Sequence, residues 1–218
     1  MPTSEPPLDV RATPVQQRGL ERVDKLLDSA ARIIDTAGIA GLTTSAVAED
    51  SGSSVGVVYR YFPNVDALLA ALADRNRQRF MVELGERIEQ GAAPTWYDFV
   101  RVCIETFADF ARKEPAFSTL RFGDVIALRY AHRQAATNDT LANYLGMFLH
   151  ERYGFELTED LHFATELAME CADAITRRSF FTSPDGEPRF TQAAVRIITT
   201  ILYRYSPGGQ PIVIPGID

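Results

Sequence analysis

His162, Glu166 and Glu170 recur every four residues, so on a helix they share one face and offer three metal-ligand types. Polar residues at this spacing more commonly form a solvated stripe with i,i+4 interactions, and that is the role expected of them. His132 and His150 stand alone, and Cys103 and Cys171 lack any Cys-x-x-Cys spacing, so neither a metal nor a cofactor is expected. No Ser-His-Asp order, nucleophile elbow, phosphate loop or dinucleotide fingerprint occurs, so nothing points to an enzyme. The chemistry these residue types do support is recognition. Ser54, Val55, Val57, Tyr59 and Arg60 form a small, mostly polar outer surface on a short helix. Val58 and Phe62, four apart, give that helix its packing edge. Such a helix can enter the major groove of DNA. Gly56 inside it costs about 1 kcal/mol relative to Ala. Something must gain from the missing side chain: DNA, or a neighbouring helix, approaching the backbone closely.

The elements that must position this surface are legible upstream. Residues 1–13 are rich in Pro, Thr and Ser and read as a mobile arm. Thr13-Pro14 opens a first helix, with Val23, Leu26, Leu27, Ala30, Ala31 and Ile34 at helical spacing and Gly38 as its stop. Thr43-Thr44 caps a second helix that ends at Gly52. Ser53 or Ser54 caps the third, and Asn64 caps a fourth. Three short helices in this arrangement, with a glycine between the second and third, predict a helix-turn-helix.

Gly41-Leu42-Thr43-Thr44-Ser45-Ala46-Val47-Ala48, then Ser51-Gly52-Ser53-Ser54-Val55-Gly56-Val57-Val58-Tyr59-Arg60-Tyr61-Phe62-Pro63-Asn64, then Asp66-Ala67-Leu68-Leu69, resembles the DNA-binding domain of the tetracycline-repressor (TetR) family. The resemblance covers roughly residues 20–72. It implies that Thr43 and Thr44 hold a phosphate at the start of the second helix. It implies a base-reading surface of Ser54, Val55, Gly56 and Val57, with the valines on thymine methyl groups and Ser54 as a hydrogen-bonding group. Tyr59 and Tyr61 would reach the sugar-phosphate backbone, and Arg60 a phosphate or a guanine. Two positions depart from the family pattern. Ser53 replaces a usual Val in the turn, which weakens packing there. Val65 replaces a usual Lys at the start of the fourth helix, which removes a common phosphate contact.

Beyond residue 65 every periodic segment is helical and none alternates as a strand would, so the fold class is all-α. The predicted organisation is an arm (1–13), a helix-turn-helix DNA-binding domain (14–64), a larger helical sensing and dimerisation domain (65–206) and a tail (207–218). The stripe from Phe190 to Tyr205 is continuous, and the preceding helix carries its own apolar face. Two such helices pair naturally with their copies in a two-fold bundle. Leu167, Cys171, Ile175, Ala194, Ile197, Ile198, Ile201 and Leu202 are the expected dimer interface, and the family implies the same dimer. Large side chains crowd the middle helices, where filling a core is the ordinary role of any one of them. In the family this region encloses a ligand cavity. Leu84, Trp96, Val100, Cys103, Phe107, Phe122, Ile126, Tyr130, Tyr144 and Phe148 would line it and suit an apolar or aromatic small molecule. That ligand is expected to spread two DNA-binding heads and release a palindromic operator, as in a repressor.

The chain has 218 residues, 46% hydrophobic and 23% charged, which is ordinary globular composition. No apolar run approaches the roughly 20 residues needed to span a bilayer, and the N-terminus has no apolar core, so a cytoplasmic protein without a membrane partner is expected. The formal net charge of −7 argues against nucleic acid at first sight. Locally it does not: residues 1–65 carry six basic and eight acidic groups, and Ser51–Val65 carries Arg60 and no acid. Few ionic contacts, and so a shallow salt dependence of DNA binding, are expected. Two other readings remain open from the residues alone: a helical protein-interaction adaptor with a degenerate helix-turn-helix, and a small-molecule-binding protein without DNA function.

Overall fold

The computed structural model describes residues 14–114, 116–117, 142–181, 183 and 185–209. The arm 1–13, the tail from 210, and Phe122, Ile126 and Tyr130 lie outside the described residues. Among the described residues all regular structure is helical, and no helix is long and apolar enough to cross a membrane. The helices are α1 (Pro14–Ala37), α2 (Thr44–Asp50), α3 (Val55–Tyr61), α4 (Val65–Glu89), α5 (Trp96–Lys113), α6 (described over 142–153), α7 (Glu159–Phe180) and α8 (Pro188–Tyr203). Two compact units divide between Leu68 and Leu69, inside α4.

The first unit is built on a buried stripe of α1. Leu26, Leu27, Ala30, Ala31 and Ile34 are buried, and Val47 and Ala48 of α2, Val58 of α3 and Phe62 are buried with them. Hydroxyl and amide caps start three of the helices. Thr43 accepts from the Ala46 N–H at 3.0 Å, Ser54 from Val57 at 3.3 Å, and Asn64 from Ala67 at 2.8 Å. The turn between α2 and α3 is a Schellman closure. Gly52 stands at φ +61, its N–H donates to Glu49 O, and the Ser53 N–H donates to Ala48 O at 2.8 Å. A hydrophobic residue commonly follows the glycine in this motif. Here Ser53 stands there, with its hydroxyl buried and without a hydrogen-bond partner.

The second unit is a helical bundle in which α8 packs on α7 and on α5. Its core gathers Phe80 and Leu84 of α4, Phe99, Ile104 and Phe110 of α5, Leu149 of α6 and Phe155. Thr95 and Thr158 cap α5 and α7 by accepting from Asp98 and Leu161. Pro188 stands in the first turn of α8, where its missing N–H costs nothing.

The interface prediction for this bundle needs correction. Ala194, Ile198 and Leu202 are fully or almost fully buried within the single chain, so they belong to its own core and cannot meet a second copy. The α8 stripe is two adjacent stripes. Residues 194, 198 and 202 point inward, and Ile197 is 43% exposed. Leu167 is 41% exposed, and Cys171, Ile175 and Ile201 are half-buried. Phe163, absent from the predicted set, is 63% exposed one turn before Leu167.

Candidate functional site

The recognition surface lies on α3. Ser54, Val55, Gly56, Tyr59 and Arg60 are exposed, Val57 and Tyr61 are half-buried, and only Val58 and Phe62 face fully inward. That division follows from helical spacing: 58 and 62 are one turn apart, and the residues between them turn outward. A Cβ at Gly56 would meet nothing closer than the Ser54 hydroxyl at 3.9 Å. No neighbouring helix among the described residues therefore needs this glycine.

The second helix supports this surface. The Thr44 hydroxyl donates to the Tyr59 phenol oxygen at 3.3 Å, tying the start of α2 to the outer face of α3. Thr43 spends its oxygen on the cap and retains its hydroxyl proton to donate. On the opposite side, Arg32 of α1 and Asp50 of α2 form an ion pair at 2.6 Å, and the Ser29 hydroxyl donates to Val47 O. Hydrogen bonding from Ser29, and then from Arg32, holds the Asp50 carboxyl below the usual carboxylate range. These bonds fix the angle at which α2 leaves α1, and hence where α3 is presented. Val65, in place of the usual Lys, is half-buried at the start of α4.

A second candidate site is a mainly apolar cavity of about 130 Å³ in the second unit. An apolar cavity of about 150 Å³ holds one benzene ring, so this space suits one ring or a short alkyl chain. Of the predicted lining, Leu84, Val100, Cys103 and Phe107 do face it. Three predicted residues do not. Trp96 stacks on Tyr97, with ring centroids 3.8 Å apart, and meets Phe155 edge-on. Phe148 stacks on Phe99 at 4.7 Å, leaving Leu145 and Leu149 as the α6 residues on the cavity. Tyr144 is 52% exposed. Ile198 and Leu202, predicted for the dimer, line the cavity instead. Burial pushes the Cys103 thiol up to about 12, so it stays protonated.

The acidic stripe also divides. His162 faces Glu166 at 3.6 Å, while Glu170 lines the cavity together with Asp173. His162 and Glu166 are half-buried and Glu170 is exposed, so the shared four-residue spacing did not separate the cavity residue from the other two. Among the described residues no three His, Cys, Asp or Glu side chains are grouped to hold a metal ion.

Comparison with known proteins bears on both sites. Residues 26–72 match the model of bacterial regulatory proteins of the tetR family, and residues 94–205 match the tetracyclin repressor-like C-terminal domain. A TetR-family transcriptional regulator from Streptomyces coelicolor superposes with a TM-score of 0.72 at 27% identity, covering 84% of this chain and 99% of that one. The fatty acid degradation regulator FadR from Bacillus halodurans shares the fold at 16% identity and a TM-score of 0.65, over 83% of this chain and 94% of that one. The nucleoid occlusion factor SlmA of Actinobacillus pleuropneumoniae is 31% identical over 113 residues, 51% of either chain. The match thus spans about half the length of that relative.

Proposed function

Because this chain belongs to the tetracycline-repressor family of bacterial regulatory proteins, we propose that it is a DNA-binding transcriptional regulator, acting as a ligand-released repressor. The observation that carries the reading is the α3 surface. Ser54, Val55 and Tyr59 are exposed around a glycine that no described residue crowds. In this reading Ser54, Val55, Gly56 and Val57 meet base edges. Thr43, Thr44, Tyr59 and Tyr61 hold the backbone, and Arg60 meets a phosphate or a guanine. The operator is a palindrome because two copies present two such helices. The copies meet through the outward faces of α7 and α8, at Phe163, Leu167, Cys171, Ile175, Ile197 and Ile201. Burying each large side chain there contributes about 1.5–3 kcal/mol at most.

The effector is a small molecule with an apolar or aromatic body that enters the cavity. Its binding releases DNA only because it binds the DNA-incompetent state more tightly.

Selection of bound sequences from a random duplex pool tests the DNA reading. A palindromic sequence retained by the protein and lost with Tyr59→Ala or Arg60→Ala is expected. Failure to retain any sequence would leave the adaptor reading in its place.

A further inference from the structure

Arg18, Arg22 and Lys25 stand at i, i+4 and i+7 of α1, so they lie on one face of the helix. That face looks across an open cleft at Val57, Arg60 and Tyr61 of α3. The four cations are exposed, and Glu21 is the single carboxylate among the described residues lining the cleft. Arg32, further along α1, is already paired with Asp50 and belongs to a different, structural contact. Like charges gathered on one open cleft repel one another, and an anion set between them relieves that repulsion.

We propose that this cleft clamps the sugar-phosphate backbone of DNA beside the recognition helix, with Arg18, Arg22 and Lys25 of α1 supplying ionic contacts that Val65 does not. The inference rests on the DNA reading above and adds residues that neither the helix-turn-helix pattern nor its spacing marks. The cleft shares Val57, Arg60 and Tyr61 with α3, so a duplex lying on α3 brings a phosphate strand over it. Arg60 is thereby assigned to phosphate rather than to guanine, because a phosphate carries a full negative charge to offset the gathered cations, where the O6 and N7 acceptors of a guanine carry only partial ones.

The expected salt dependence changes accordingly. Counting only Ser51–Val65 gives one cation per head and a shallow dependence. If each of the four cleft cations neutralises one phosphate, a dimer neutralises about eight, and log K falls against log salt with a slope of roughly −7. Affinity then drops by a factor on the order of 10³–10⁵ between 50 and 200 mM salt.

The test uses the full chain and a duplex that it selects. Arg18→Gln, Arg22→Gln and Lys25→Gln change exposed side chains, and circular dichroism and melting temperature verify that each variant is folded. Each is expected to lower the slope by about 2 per dimer and to weaken binding equally on the selected duplex and on a scrambled one. Arg189→Gln removes an exposed charge from α8 as the control, and its slope should stay at the wild-type value. A wild-type slope near −2, or α1 variants whose slope equals the control, would overturn the clamp while leaving sequence-selective binding intact. A wild-type chain that retains no duplex at all would overturn the clamp and the reading it rests on together.

Discussion

Thr44 and Tyr59, fifteen residues apart, are joined by a hydrogen bond of 3.3 Å that places a phenol oxygen where α2 and α3 present their common outer edge. Tyr59 is 53% exposed, so the bond contributes orientation more than burial. Tyr59→Phe should lower affinity for the selected duplex about tenfold, the size of one hydrogen bond to a charged partner, with the melting temperature unchanged. Thr44→Val should give a smaller loss, because the phenol remains but is less well held. Titration of labelled duplex measures both. No loss for Thr44→Val would show that Thr44 neither holds the backbone nor positions the Tyr59 phenol.

The Ser53 hydroxyl is a defect in the turn that aims α3. It is buried, it has no partner, and it occupies a position where the Schellman motif favours an apolar side chain. Ser53→Ala should stabilise the protein by about 1 kcal/mol, because an unsatisfied polar atom leaves the interior. Ser53→Val should match or exceed it if the space admits two methyl groups. Urea unfolding followed by circular dichroism gives the answer, and a lower midpoint for both variants would contradict this account.

Asp50 carries a pH dependence of known sign. Its carboxyl titrates below the ordinary value, held there by Ser29 and then Arg32. Its contribution to stability is therefore complete above the unfolded carboxylate pKa, near 3.9, and is lost as pH falls through the lower folded value. The pair is largely exposed, so Asp50→Asn should cost less than about 1 kcal/mol at neutral pH. The difference between variant and wild type should shrink in acid and in high salt. A difference that persists at pH 2 would mean that Asp50 acts through something other than its charge.

Leu167 and Ile197 test the outward faces of α7 and α8. Leu167→Arg and Ile197→Glu change half-exposed side chains, so the fold of the chain should survive. Light scattering should then report a monomer, and affinity for a full palindrome should fall to that for a half-site. Ala194→Glu is the contrasting case. It places a charge in the core and should unfold the protein rather than merely separate two copies.

Cys103 reports on the cavity. With its thiol pushed up to about 12, alkylation at pH 8 should be far slower than for a free cysteine. In a Cys171→Ser background Cys103 is the chain's one remaining cysteine. A compound that occupies the cavity should slow its labelling further and, in parallel, release the duplex. Release of DNA by a compound that leaves Cys103 labelling unchanged would place the effector elsewhere.

The first unit was legible in the sequence almost residue by residue, because local rules govern it. Thr43, Ser54 and Asn64 cap the helices they precede, Gly52 takes the left-handed turn, and 58 and 62 fall one helical turn apart. The cavity was legible only in part. Periodicity distinguishes an apolar face from a polar one but cannot rank two apolar faces of the same helix. That is why Ile198 and Leu202 were placed outside and Trp96 and Phe148 inside. Large aromatic side chains attract such an assignment by size alone, yet these two spend their rings on Tyr97 and Phe99. The α1 cations went unassigned because their partner surface, α3, lies more than thirty residues away and comes to them only through the fold.

Ile197 and Ile198 are neighbours in the chain, one turned to the outside and the other to the cavity. Helix α8 is therefore a partition one helix thick, with the apolar cavity behind it and the proposed contact surface in front. Close packing makes such a wall stiff, so a guest too large for the chamber moves the whole wall before it compresses it. The message that the chamber is full would travel a single helix diameter, and the size of the guest would be read out as a displacement of the seam between two copies.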